Sequence, residues 1–131
     1  MYLEALKIAY KAHHGQLRRD SCVPYIVHPI RVAGHFNDDT KKTIAILHDV
    51  IEDTDLTLDD ITQFGSKVYK AVDAMSQRKD EKHFDYIKRL RKNELAVQIK
   101  IADVVDNLSD TISIQPKSMT ERYDKTLKML I

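Results

Sequence analysis

The segment LHDVIEDTD, residues 47–55, packs one imidazole and four carboxylates into nine positions: His48, Asp49, Glu52, Asp53 and Asp55. At helical spacing Glu52 lies four residues beyond His48, and Asp53 four beyond Asp49, so these side chains share a surface. The C-terminal end of a helix carries partial negative charge and disfavours carboxylates. A helix that ends on several of them asks for a cation. Taken alone, the His-Asp pair is a common dipeptide, and a solvated acidic corner accounts for it equally well.

Two further places in the chain add weight. In ELAVQIKIADVVDNL, Val97, Ile101, Val104 and Leu108 form an apolar stripe, while Lys100, Asp103 and Asn107 fall at i, i+3 and i+7 on another face. That second face is either the solvent side of the helix or a place for a metal and a phosphate. In PYIVHP, His28 stands beside Ile26 and Val27, a setting more often that of a core histidine than of a ligand, so its weight comes from the other three residues. Together, His28, His48, Asp49 and Asp103 make a mixed nitrogen and oxygen set suited to Mn²⁺ or Fe²⁺, with Zn²⁺ an alternative. No thiolate is among them, which argues against a structural zinc site. Four protein ligands leave a six-coordinate ion room for water and a phosphate oxygen, the arrangement of metal-assisted hydrolysis.

The elements that must carry these groups read as helices throughout. Only three Gly and three Pro interrupt the 131 residues. Leu3, Leu6, Ala9 and Tyr10 mark one face of an opening helix that ends near Gly15. The loop QLRRDSCV follows, and Pro24 starts a second helix with Ile26, Ile30 and Ala33 inward. Asn37 to Thr40 offer caps for a third helix, KKTIAILHDVIED. Thr57 and Asp60 form a capping box for a short helix closed by Gly65, and Ser66 starts the next. A charged helix spans roughly Asp80 to Lys92, Asn93 caps the apolar one, and Pro116 breaks the chain. Ser118 with Glu121 caps a last helix. The expectation is one all-α domain over residues 1–131, a compact bundle of about six to eight helices.

Composition narrows the function classes. The formal net charge is +1, so no bulk field draws nucleic acid or a membrane. No apolar run approaches the ~18 residues of a membrane span, and the opening residues do not read as a signal peptide. The lone Cys22 cannot form an intramolecular disulfide and has no nucleophile's surroundings. A cytoplasmic location is expected.

GQLRRDSCVPYIVHPIRVA, ILHDVIEDT and IKIADVVDNL, in this order, resemble the HD-type hydrolase domain of the RelA/SpoT family, in particular its free-standing small alarmone hydrolases. The likeness runs from about Ala12 to Asp110 and implies an HD-domain bundle. It also implies that His28, His48, Asp49 and Asp103 hold the metal, usually Mn²⁺. Glu52 and Asp53 match the pair that positions and activates the attacking water. Arg18 matches the arginine that packs on the guanine base, and Arg19 the basic residue near the phosphates. Lys100 and Asn107 match polar positions lining the nucleotide site, the Asn near the ribose. The implied partner is a small-molecule nucleotide. The implied reaction removes the 3′-pyrophosphate of guanosine tetra- or pentaphosphate, giving GDP or GTP and pyrophosphate.

The chain departs from the family pattern at particular residues. Val104 and Asp106 stand where the family has a basic residue and an aromatic or His. The loop before Pro24 lacks the usual glycine, and the stretch from Met75 to Asn93 is short, which implies a reduced wall of the nucleotide pocket. No synthetase motif is present. Two other readings stay open: an HD phosphohydrolase for another nucleotide (a monophosphate, a cyclic nucleotide or NADPH), and a non-catalytic nucleotide-binding regulatory module. The intact Glu52-Asp53 pair argues against the second.

Overall fold

The structure, a computed structural model, describes residues 1–18, 21–111 and 117–131. Among these residues there are eight α-helices, one 3-10 segment and no β-strand: α1 (Tyr2–Ala12), α2 (Val27–Ala33), α3 (Asp39–Leu47), α4 (Val50–Asp53), the 3-10 segment (Leu58–Phe64), α5 (Ser66–Met75), α6 (His83–Leu90), α7 (Glu94–Thr111) and α8 (Lys117–Leu130). The all-α expectation holds.

α3 is the axis of the bundle. Thr43, Ile44, Ala45, Ile46 and Leu47 are all fully buried, so the C-terminal half of this helix is enclosed by α1, α2, α5 and α7. Each fully buried Leu or Ile stabilises the fold by about 1.5–3 kcal/mol through area removed from water. α1 approaches α3 on Ala5 and Ala9, one turn apart and fully buried. Leu3 and Tyr10, expected inward, are 68% and 60% exposed. Small side chains let the helices come close, which turns the larger neighbours outward. α8 packs on α6 and α7 and closes one end.

The caps form much as their residue types suggest. Asp38 accepts from the Lys41 N–H at 2.8 Å, and Asn93 from the Ala96 N–H at 3.0 Å. Thr57 and Asp60 form the reciprocal box, here on a 3-10 segment, and Gly65 closes it at φ 93°, a conformation that suits glycine. The last helix begins at Lys117, so Ser118 lies within it rather than capping it; Pro116 is outside the described residues.

Two elements differ from expectation in ways that shape the site. α2 starts at Val27, not at Pro24, and its inner face is His28, Pro29, Val32 and Ala33, leaving Ile30 40% exposed. Pro24 instead pairs with Leu17 in an isolated antiparallel bridge. The expected third helix is two: α3 stops at Leu47 and α4 begins at Val50. Asp49, at φ −102° and ψ −2°, sits in the sparsely populated region between helix and strand. The turn lets His48 and Asp49 face the same point, and it moves Glu52 and Asp53 from the end of a long helix to the first turn of a short one.

Candidate metal centre and its cavity

α2, the α3–α4 junction and α7 each bring donors to one place. One atom from each of His28, His48, Asp49 and Asp103 lies within 4.8 Å of all the others. Asp103 is the hub: its Oδ1 is 2.7 Å from His28 Nε2 and 3.2 Å from His48 Nε2. Asp49 Oδ2 lies 3.0 Å from His48 Nε2 and 3.8 Å from His28 Nε2. The two imidazoles and Asp103 are buried, while Asp49 keeps some access to the cavity.

The outer atoms of both rings are already committed. His48 Nδ1 donates to the Ala45 carbonyl at 2.5 Å, an acceptor that cannot donate, so the proton is on Nδ1 and Nε2 faces the cluster. His28 Nδ1 lies 2.6 Å from Asp106 Oδ2, again leaving Nε2 for the centre. Tyr25 O–H donates to Asp49 Oδ2, Lys100 Nζ donates to Asp103 Oδ2 at 3.0 Å, and Asn107 Nδ2 to Asp103 Oδ1 at 3.3 Å. Two imidazole nitrogens and two carboxylates, convergent and externally braced, fit a divalent cation of the borderline or hard kind.

The electrostatics agree with that fit. Burial raises the Asp49 carboxyl, but the His48 imidazole beside it outweighs this and lowers it to about 2. Asp103 is likewise held well below the carboxylate range, because Lys100 and His48 overcome its burial. Burial lowers both imidazoles, yet their carboxylate neighbours prevail and both are raised, His48 well above its ordinary value. A cation bound among these groups would compete with protons for the imidazole nitrogens, so its binding would be coupled to proton release. Lys100 stays cationic through Asp103 despite burial.

The centre opens into a cavity of about 290 Å³. Glu52 and Asp53 stand at its rim, touched by solvent on one side and crowded by protein on the other. That crowding pushes the Glu52 carboxyl up to about 7, against a hydrogen bond from the Gln77 N–H that favours the charge. Asp53 is raised too, by burial and then by Asp49. Arg18 enters from the loop held by the Leu17–Pro24 bridge; its own N–H donates to the Val23 carbonyl at 2.7 Å. Its guanidinium donates to Asn107 Oδ1 at 2.6 Å and lies 6.0 Å from the Tyr25 ring centre. Arg18, Glu52, Asp53, Lys100 and Asn107 therefore line one cavity with three of the four candidate ligands, His48 lying behind them. Arg19 lies outside the described residues.

The far wall contains residues that sequence reasoning did not single out. Gln77, His83, Tyr86, Arg122, Tyr123 and Thr126 line it, from α6, α8 and the chain around them. His83 Nε2 is 3.0 Å from Thr126 Oγ1, which itself donates to the Arg122 carbonyl at 2.8 Å. Thr126 Oγ1 therefore accepts a hydrogen bond from the His83 Nε2–H. Burial, helped by Arg122 and Lys100, lowers His83 to about 4, so the ring is neutral at pH 7. Arg122 and Thr126 are four apart on α8, a helical spacing visible in the sequence, but nothing there says that α8 docks over the cavity. Tyr25 had a better signal, three residues before His28.

A family model described as the HD domain matches residues 5–129. The human guanosine-3′,5′-bis(diphosphate) 3′-pyrophosphohydrolase MESH1 is 33% identical over 135 residues, spanning 91% of this chain and 74% of that protein. The protein of the same enzymatic name from Borreliella burgdorferi is 33% identical over 93% of this chain, and its Vibrio cholerae counterpart 34% identical over 97%. This chain spans only 20% and 21% of those two longer proteins. A solved structure of a metazoan ortholog of SpoT, described as hydrolysing ppGpp, superimposes with a TM-score of 0.81 at 28% identity, over 98% of this chain and 82% of that one. With the His28, His48, Asp49 and Asp103 cluster already in view, these matches place the chain in the HD-domain family, among its RelA/SpoT-type members.

Proposed function

We propose that this chain is a divalent-metal-dependent phosphohydrolase that removes the 3′-pyrophosphate of guanosine tetra- or pentaphosphate, with Mn²⁺ as the working metal. The observation that carries the reading is the convergence of two imidazoles and two carboxylates beside Glu52 and Asp53, at the base of a cavity whose walls carry Arg18, Lys100 and Arg122. The names of the relatives supply the nucleotide.

In this reading His28, His48, Asp49 and Asp103 hold the cation. A divalent cation there supplies Lewis acidity towards water and a phosphate oxygen. Glu52 and Asp53 orient the attacking water, and Glu52 accepts its proton. The water oxygen bonds to the phosphorus nearest the ribose as the bond from that phosphorus to the 3′-oxygen breaks; the proton taken by Glu52 passes to the 3′-oxygen, and pyrophosphate leaves. Arg18 packs on the base through its planar guanidinium, Asn107 lies near the ribose, and Lys100 offsets phosphate charge. Arg19 is assigned to the phosphates by resemblance alone.

Incubating the protein with Mn²⁺ and guanosine tetraphosphate should yield GDP and pyrophosphate. Absence of GDP while the metal is bound would sink the substrate assignment. A second reading rests on Val104 and Asp106: both are buried and neither offers the cavity a cation or a stacking ring. That favours another phosphorylated nucleotide, and orthophosphate as sole product across a nucleotide panel would select it.

A further inference from the structure

Asp106 is turned away from the cavity and serves the centre from behind. α2 presents His28 and Arg31 one turn apart, and α7 presents Asp103 and Asp106 one turn apart. The pairs interlock: Asp103 Oδ1 meets His28 Nε2 at 2.7 Å, while Asp106 Oδ2 meets His28 Nδ1 at 2.6 Å. Both nitrogens of one imidazole are thus addressed by a single helix. Asp106 is in turn gripped by Arg31, with Nε 2.9 Å from Oδ1 and Nη2 3.1 Å from Oδ2, and Arg18 Nη2 is 4.0 Å from Oδ2. The carboxylate is 6% exposed, so its hydrogen bonds are little diluted by water.

We infer that Asp106 is a positioning residue for the metal: it holds His28 in the Nδ1–H tautomer, aims Nε2 at the centre and strengthens that nitrogen as a donor. This rests on the metal-site reading above. A carboxylate behind a ligating imidazole fixes the ring and raises its basicity, and loss of such a partner typically weakens metal binding about tenfold to a hundredfold. Arg31 keeps Asp106 from swinging inward to become a ligand itself. The residue that breaks the family pattern therefore has a task of its own. His48 is braced differently, by the Ala45 carbonyl, which no side-chain change can remove.

The competing explanation is an ion pair that merely ties α2 to α7. Binding of Mn²⁺ to the whole chain, followed by calorimetry, separates the two. Asp106→Ala should weaken Mn²⁺ binding by about tenfold to a hundredfold. Asp106→Asn, which keeps the volume and one acceptor, should fall between it and the wild type, and it gives the answer if the alanine variant does not fold. Arg31→Gln should weaken binding less than either. In the Zn²⁺-loaded protein, nitrogen NMR of labelled histidine should show the His28 Nδ1–H shifted by a strong hydrogen bond to Asp106, and Asp106→Ala should lose that shift. Unchanged Mn²⁺ affinity in a folded Asp106→Asn, or an equal loss in Arg31→Gln, overturns the inference and leaves the metal site standing. A wild-type chain that binds no Mn²⁺ overturns both.

Discussion

The two walls of the cavity are built on different terms. On the metal side His28 and His48 are 1% and 2% exposed, and each ring nitrogen has a partner supplied by α7 or by the local backbone. On the far side Arg122 is exposed, His83 is half-buried, and the cross-helix bond from His83 to Thr126 is a single contact between neutral groups. The first wall has little freedom to move without breaking several buried hydrogen bonds at once, each of which costs about 1–3 kcal/mol to leave unmade. The second can shift a long side chain at small cost. Chemistry needs atoms within a few tenths of an ångström, whereas recognition of phosphates tolerates adjustment. Under the proposed function, the difference in bracing would give the chemistry to the first wall and phosphate recognition to the second.

If that division is right, substitutions on the two walls should differ in kind as well as size. Asp103→Asn should have the largest effect: metal binding lost and turnover down on the order of a thousandfold, the loss of several kcal/mol of charge stabilisation. Circular dichroism should still report a helical protein, and unaltered metal affinity would remove Asp103 from the ligand set. Glu52→Gln comes next, with turnover reduced by about a hundredfold or more and metal affinity little changed. Glu52 must be ionised to accept a proton, and burial pushes it up to about 7. Wild-type turnover should therefore rise with pH as this group ionises and level off above it, with a bound cation drawing that limb to lower pH. A Glu52→Gln enzyme with the same limb would show that another group is the base. Arg122→Ala should be mildest, raising KM by about tenfold with kcat nearly constant, the sign of uniform binding removed. A fall in kcat of the same size would place Arg122 on the chemical side and break the comparison.

What could be read from the sequence follows the same line. The four candidate ligands were visible because their chemical types are rare together and each stands within or beside an apolar stretch of sequence. The break after Leu47 was not, since the periodicity of KKTIAILHDVIED runs through it and no Gly or Pro marks the bend at Asp49. The inward face of α1 was read correctly at Ala9 but not at Leu3 and Tyr10, because these two outrank Ala5 in hydrophobicity while close approach to α3 selects the small residues. Asp106 looked like a departure and not a component because its partners, His28 and Arg31, are 78 and 75 residues away in the chain. The far wall depends on how α8 docks, which no local pattern encodes.

The hub at Asp103 also has a topological meaning. Its bond to His28 joins positions 75 residues apart, and its contact with His48 joins positions 55 apart. A cation at the hub would therefore be a clasp: it would fasten α2 and the α3–α4 junction to the seventh helix and close two large loops at once. Whatever binds only the folded chain also raises its resistance to unfolding, in proportion to the logarithm of its concentration. Under the proposed reading, the supply of metal would add to the stability of the fold as well as serve the reaction.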